Sequence, residues 1–274
     1  MKLIVTADDV GLHEGMNAGA ARAHLEGIVT SCSVVANGAA LADAVARLAD
    51  CPRMSVGAHL ALVEERPVSD PRAISSLVDA EGRFFRNFKV FAARYALGRI
   101  RIEEVERELR AQIEKLIGEG LTLTHLNGHQ HLHALPAIFG VVRSLAEEYG
   151  IGYVRIPCEA AVRGTSATRA ISMRVLNVFG ETARRRMSPG RTVTTMGIAD
   201  AGHLNAERFI SMIDRMSGDA ELVCHPGIDD VSIGRTYDWG YEWDEETRTL
   251  CDAEVIRALA DRGIALIRPE EAGN

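Results

Sequence analysis

The chain has 274 residues, 47% of them hydrophobic, enough to bury a large core. No Pro/Gly/Ser-rich break divides it, so a single domain spanning 1–274 is expected. A formal net charge of −7 argues against nucleic acid as a partner. The five cysteines (Cys32, Cys51, Cys158, Cys224, Cys251) are scattered, odd in number and without a C-x-x-C pair, which fits reduced thiols in a cytoplasm better than a disulfide framework or a zinc knuckle.

The first predicted element is a strand at 3–6 rather than a signal peptide, because the apolar run of M-K-L-I-V-T-A-D-D is cut short by two aspartates. Further β-leaning runs follow at 31–35, 55–60, 121–127, 153–157, 192–195, 221–225 and 265–268. Most are separated by stretches of helical periodicity, such as Ile102, Val105, Leu109, Ile113, Leu116 and Ile117 with mainly charged residues between. No run approaches the roughly 18 apolar residues of a membrane span. The alternation predicts an α/β fold with about seven or eight mainly parallel strands in an irregular, TIM-barrel-like (β/α) barrel; an open doubly wound sheet is the alternative.

Polar residues collect where such a barrel places its chemistry. Asp8 and Asp9 follow the first strand, His59 closes the third, Arg155 lies in the fifth and His225 closes the seventh. After the fourth comes T-H-L-N-G-H-Q-H-L-H (124–133), with four of the nine histidines of the chain, and Pro136 suits the first turn of a following helix. Imidazole is a common transition-metal ligand, but an expected turn at Asn127-Gly128 lets only one or two of these histidines serve. A catalytic site with three protein ligands and one open position needs partners from elsewhere. Of two adjacent carboxylates, one can hold a metal while the other takes a proton from the water it activates, and His225 is then a candidate acid. Asp8-Asp9 could equally be a solvated turn, His59 a hydrogen-bonded core histidine and His225 a structural one.

Four ordered motifs carry a resemblance: T-A-D-D-V-G-L-H, V-G-A-H-L-A-L-V-E-E-R-P-V, T-H-L-N-G-H-Q-H-L-H-A-L-P and V-C-H-P-G. Together they resemble the YdjC-like carbohydrate deacetylases, a family that includes chitooligosaccharide and hopanoid-associated deacetylases. The resemblance implies an irregular barrel and hydrolysis of the N-acetyl amide of an acetamido sugar at one divalent metal ion. It also implies that Asp9, His59 and His129 are the metal ligands, Asp8 the base and His225 the general acid. Zinc or magnesium, or else manganese, cobalt or nickel, suits that ligand set. Two positions depart from the family pattern: Val10, where relatives often carry Phe, and Asn127, where they often carry Asp. Asn127 lacks the charge that an aspartate would place behind a ligand histidine.

Arg155 is expected to help the metal stabilise the oxyanion. Trp239 and Trp243, with Tyr237 and Tyr241, lie in a loop that either stacks on sugar rings or anchors itself to the barrel. Residues 84–101, with four phenylalanines, five basic residues and no acid, and residues 162–191, with seven arginines, suggest peripheral contact with anionic lipid or a lipid-linked substrate. The alternative is that Phe84, Phe88, Phe91 and Tyr95 cap the barrel. A homodimer is compatible with the sequence. A metal-dependent phosphoesterase would add a second metal and a phosphate-binding glycine loop, which is absent. A non-catalytic sugar-binding relative would have a broken Asp/His/His set.

Overall fold

The computed structural model describes residues 1–159, 167–185 and 193–272. In chain order its elements are β1 (Lys2–Val10), α1 (Glu14–Leu25), β2 (Ser31–Val34), α2 (Leu41–Ala49), β3 (Ser55–Leu60), α3 (Phe88–Ala96), α4 (Ile102–Gly118), β4 (Leu123–Gly128), α5 (Pro136–Glu148), β5 (Tyr153–Val154), α6 (Ala167–Arg184), β6 (Thr194–Met196), α7 (Ala206–Asp214), β7 (Ala220–Cys224), α8 (Asp230–Thr236), α9 (Trp243–Leu250), α10 (Ala253–Asp261) and β8 (Ala265–Leu266). The strands form one parallel sheet in the order β5-β4-β3-β2-β1-β7-β6, with β8 pairing the first residues of β1. Crossover helices between parallel neighbours follow from the strand-helix alternation of the sequence.

The sheet curls but stays open between β5 and β6, so the expected barrel has a seam. Polar groups bridge it. The Thr195 hydroxyl donates to the Ile156 carbonyl at 2.9 Å, and inside the curl Tyr153 Oη donates to Glu221 Oε2 on β7 at 2.7 Å. Behind the seam, Glu159 accepts from the backbone N–H groups of Gly197 and Ala199, both at 2.9 Å. Burial pushes this carboxyl up to about 7.

Several elements differ from expectation for definable reasons. β1 runs on to Val10 and so contains Asp8 and Asp9, because Val10 pairs with Val34 beyond an irregularity in register. Asn127-Gly128 is no turn: β4 continues through Gly128, and the chain breaks instead at Gln130 and His131, whose φ values are 50° and 56°. β5 stops at Val154, so Arg155 lies just past it, although its N–H still donates to the Leu126 carbonyl.

The apolar stripe of α4 is buried as expected at Val105, Leu109, Ile113 and Leu116, each worth about 1.5–3 kcal/mol, whereas Ile117 is exposed. Glu104, Glu108 and Gln112 are buried too, contrary to a solvated charged face. Glu108 accepts from the N–H groups of Val68 and Ser69, and Gln112 pairs with both backbone groups of Ala61, strapping the long segment after β3 onto the helix. Phe84 and Phe91 are buried against the core, but Phe88, Val90 and Leu97 are 37%, 43% and 67% exposed. Of the basic stretch 162–191, residues 162–166 and 186–191 lie outside the described residues, and Arg163, Arg186 and Arg191 with them. Among the described residues no helix is long and apolar enough to cross a membrane.

Candidate metal centre

The centre is assembled from the carboxyl ends of β1, β3 and β4. In an unbroken strand, Asp8 and Asp9 would point to opposite faces. Asp9 instead has φ 64°, a left-handed conformation that costs about 1–2 kcal/mol for a non-glycine residue. With that break in alternation, both carboxylates turn toward His59: Asp8 Oδ1 is 4.0 Å from His59 Nδ1, and Asp9 Oδ1 is 3.1 Å from His59 Nε2.

His129 comes from the first residue after β4, a short 3-10 stretch over His129–Ala134. Its Nδ1 lies 2.8 Å from Asp9 Oδ1, and its ring meets that of His59 edge-on with centroids 5.5 Å apart. Ligand atoms of Asp9, His59 and His129 all lie within 4.8 Å of one another, the only such acidic and imidazole group among the described residues. The expected ligand set thus lies together, drawn from positions as far apart as 9 and 129.

The chemistry of these donors fits a divalent cation. One carboxylate oxygen faces two imidazole nitrogens in a buried pocket, and acceptors crowded at such distances are stabilised by positive charge between them. Burial opposes ionisation of Asp9, but the neighbouring His129 and His59 override it and hold the carboxyl well below its usual range. For His129, burial pulls the other way, yet Asp9 and Glu64 push it up to about 10.

Glu64 was not singled out from the sequence. Its Oε2 is 3.2 Å from His129 Nε2, and Gln130 holds its other oxygen. The available signal was its place in the V-E-E-R-P motif, four residues past β3. A carboxylate behind a ligand histidine fixes ring orientation and basicity.

Asp8 is held differently. Arg155 Nη1 and Nη2 donate to its two oxygens at 2.5 and 3.0 Å, and Asn127 Nδ2 donates to Oδ1 at 3.1 Å. Burial works to raise this carboxyl, and the Arg155 guanidinium outweighs it, keeping Asp8 ionised far below the usual carboxylate range. Arg155 itself has no exposed surface, and its Nη2 and Nε also donate to Glu221, at 2.8 and 2.9 Å. The expectation that it meets a substrate oxyanion therefore changes: its fork is occupied by Asp8 and Glu221.

His225 follows β7 directly, with Nε2 3.9 Å from Asp9 Oδ2. Its backbone N–H is anchored by Glu246, and Tyr241 lies against its ring edge, centroids 5.3 Å apart. Trp239 leans over His129 at 5.5 Å and is half-buried beside Tyr241. Trp243 is only 2% exposed, packed in a cluster with Leu12, Met16, Val35 and Ile233. Of the two expected sugar-facing tryptophans, Trp239 borders the pocket and Trp243 supports it from beneath.

A profile of the YdjC-like protein family matches residues 2–261. The chain belongs to the YdjC-like family. Among YdjC-like relatives, a carbohydrate deacetylase of Geobacillus stearothermophilus is 36% identical over 98% of this chain and 96% of its own length. A carbohydrate deacetylase of Brevibacillus brevis is 33% identical over the full length of both chains, and one of Homo sapiens is 34% identical over 97% of this chain and 89% of its own. Among solved structures, an Enterococcus faecalis protein described as a cellobiose-phosphate cleavage protein superposes with TM-score 0.79 at 25% identity, covering 98% of this chain and 97% of that one.

Proposed function

We propose that this YdjC-like protein is a metal-dependent carbohydrate deacetylase that hydrolyses the N-acetyl group of an acetamido sugar. The observation that carries the reading is the convergence of Asp9, His59 and His129 on one buried point, next to a second carboxylate, in a chain whose full-length relatives bear the name carbohydrate deacetylase.

Asp9, His59 and His129 are the residues that would hold the ion. When bound there, a divalent cation supplies Lewis acidity, polarising the acetyl carbonyl and making water acidic enough to react near neutral pH. Asp8, ionised and held still by Arg155 and Asn127, takes the proton of the attacking water. His225, beside Asp9, gives a proton to the nitrogen as the C–N bond breaks, so that acetate and a free amino sugar leave. Arg155 acts through Asp8 and does not touch substrate. Trp239 and Tyr241 offer ring faces to the apolar face of a sugar beside the histidines.

Residues 84–101 fit a peripheral contact with anionic lipid or a lipid-linked substrate. Phe88, Val90 and Leu97 are exposed beside Arg86, Lys89 and Arg99, while Phe84, Phe91 and Tyr95 take the capping role. The Phe88 N–H reaches Gln130 Oε1 at 3.3 Å, which sets this surface next to His129. Failure to co-sediment with anionic vesicles at low salt removes the lipid contact and leaves the capping role alone.

The test of the activity is acetate release from short chitooligosaccharides, acetylated aminoglycosides and lipid-linked N-acetylglucosamine, using protein purified without chelator. Release from at least one acetamido sugar is expected; release from none, by metal-replete protein, rejects the reading.

A further inference from the structure

We infer that Asn127 is a positioning residue that fixes the tautomer of His59, so that Nε2 presents its lone pair to the cation site. The inference rests on the reading of Asp9, His59 and His129 as ligands. It follows from which atoms can donate.

Arg155 has only donors and keeps its charge, so both oxygens of Asp8 act as acceptors. The Asn127 atom 3.1 Å from Asp8 Oδ1 must then be the amide nitrogen, since the carbonyl would set oxygen against oxygen. That choice fixes the amide plane and turns Asn127 Oδ1 toward His59 Nδ1, at 2.7 Å. A carbonyl oxygen only accepts, so His59 carries its hydrogen on Nδ1 and leaves Nε2 open toward Asp9 Oδ1.

A second chain of donors holds the same amide from behind. The other N–H of Asn127 goes to Ser33 Oγ at 2.7 Å. The Ser33 hydroxyl is then free to donate to His125 Nε2 at 3.1 Å, His125 Nδ1–H to Thr124 Oγ1 at 3.0 Å, and the Thr124 hydroxyl to the Val56 carbonyl at 3.2 Å. Each donor has one acceptor and the chain runs one way only. It requires His125 to carry a single proton, in keeping with a fully buried imidazole that burial pulls down to about 4. The ring of His125 also occupies the space over residue 57, where a Cβ would lie 2.4 Å from its atoms, which accounts for glycine two residues before His59. His125 and Gly57 therefore serve the metal centre without approaching it.

The test is calorimetric titration of zinc into chelator-stripped protein, with imidazole nitrogen NMR to read the His59 tautomer, its signals assigned by their loss in His59→Gln. Wild type is expected to bind zinc with His59 protonated at Nδ1. Asn127→Leu, close in shape but without an acceptor, weakens zinc binding about 10–100-fold and loses the Nδ1–H signal. Asn127→Asp keeps an acceptor for Nδ1–H and is expected to retain the Nδ1–H signal, although its second oxygen then faces Asp8 Oδ1 where the amide nitrogen donated. Ser33→Ala, which breaks only the rear chain, weakens binding less than Asn127→Leu. An Asn127→Leu protein with wild-type affinity and tautomer overturns the positioning role while leaving the ligand set intact. Wild type that takes up no zinc, cobalt, manganese or magnesium overturns the ligand set itself.

Discussion

Arg155 grips both oxygens of Asp8; the arginine is fully buried, and Asp8 is only 3% exposed. The same guanidinium holds Glu221, so one cation bridges two buried carboxylates across the interior of the curled sheet. Replacing Arg155 by Met strands both charges and is expected to cost about 3–5 kcal/mol in chemical denaturation. Adding Asp8→Asn and Glu221→Gln to the same chain recovers part of that loss. A loss no larger than that of an exposed substitution would contradict this arrangement.

Asp8→Asn keeps a side chain of similar shape against Arg155 but removes the proton acceptor. The expected result is a fall in kcat of about 10²–10⁴-fold with little change in KM and unchanged metal content. Initial rates together with metal analysis read both quantities, and equal turnover in the variant would sink the role of Asp8 as base.

The two tryptophans separate by depth. Trp239→Ala, at the pocket edge, is expected to raise KM for the sugar up to about tenfold with stability nearly intact. Trp243→Ala empties a buried position and is expected to cost about 3–5 kcal/mol in unfolding experiments. Unchanged KM for every acetamido sugar in Trp239→Ala would remove it from the sugar site.

Glu159 gives a pH dependence of stability with a definite sign. Its carboxyl sits at about 7 in the fold against an ordinary 4.5, so the folded state holds the proton more tightly. Its contribution is full below pH 4.5 and is lost as pH rises through 7, amounting to about 3 kcal/mol. Melting temperature of the wild type should therefore fall more steeply between pH 5 and pH 8 than that of Glu159→Gln. Parallel curves would show that this carboxyl ionises as it does in the unfolded chain.

Much of the architecture was legible because apolar runs of four to six residues alternate with helical stripes. β3 was expected at 55–60 and spans Ser55–Leu60. What composition could not show was local backbone chirality. The left-handed turn of Asp9 is what aims two adjacent carboxylates into one pocket, and positive φ at Gln130 and His131 decides where the histidine cluster leaves the sheet. Partnership across the sheet was also hidden. Arg155 reads as site-facing until Glu221, 66 positions away, is seen to take two of its four side-chain hydrogen bonds. Asn127 looked like a weakness in the ligand set. Only its contacts with Asp8, Ser33 and His59 show the amide holding three groups at once.

Acetate release by chelator-stripped protein, titrated with a divalent cation, tests the central claim most directly. The stripped protein should be inactive, and activity should rise to its limit at one equivalent of metal per chain in wild type but not in His59→Gln or His129→Gln. Full activity in stripped protein, or reconstitution that is indifferent to those two histidines, would contradict the account.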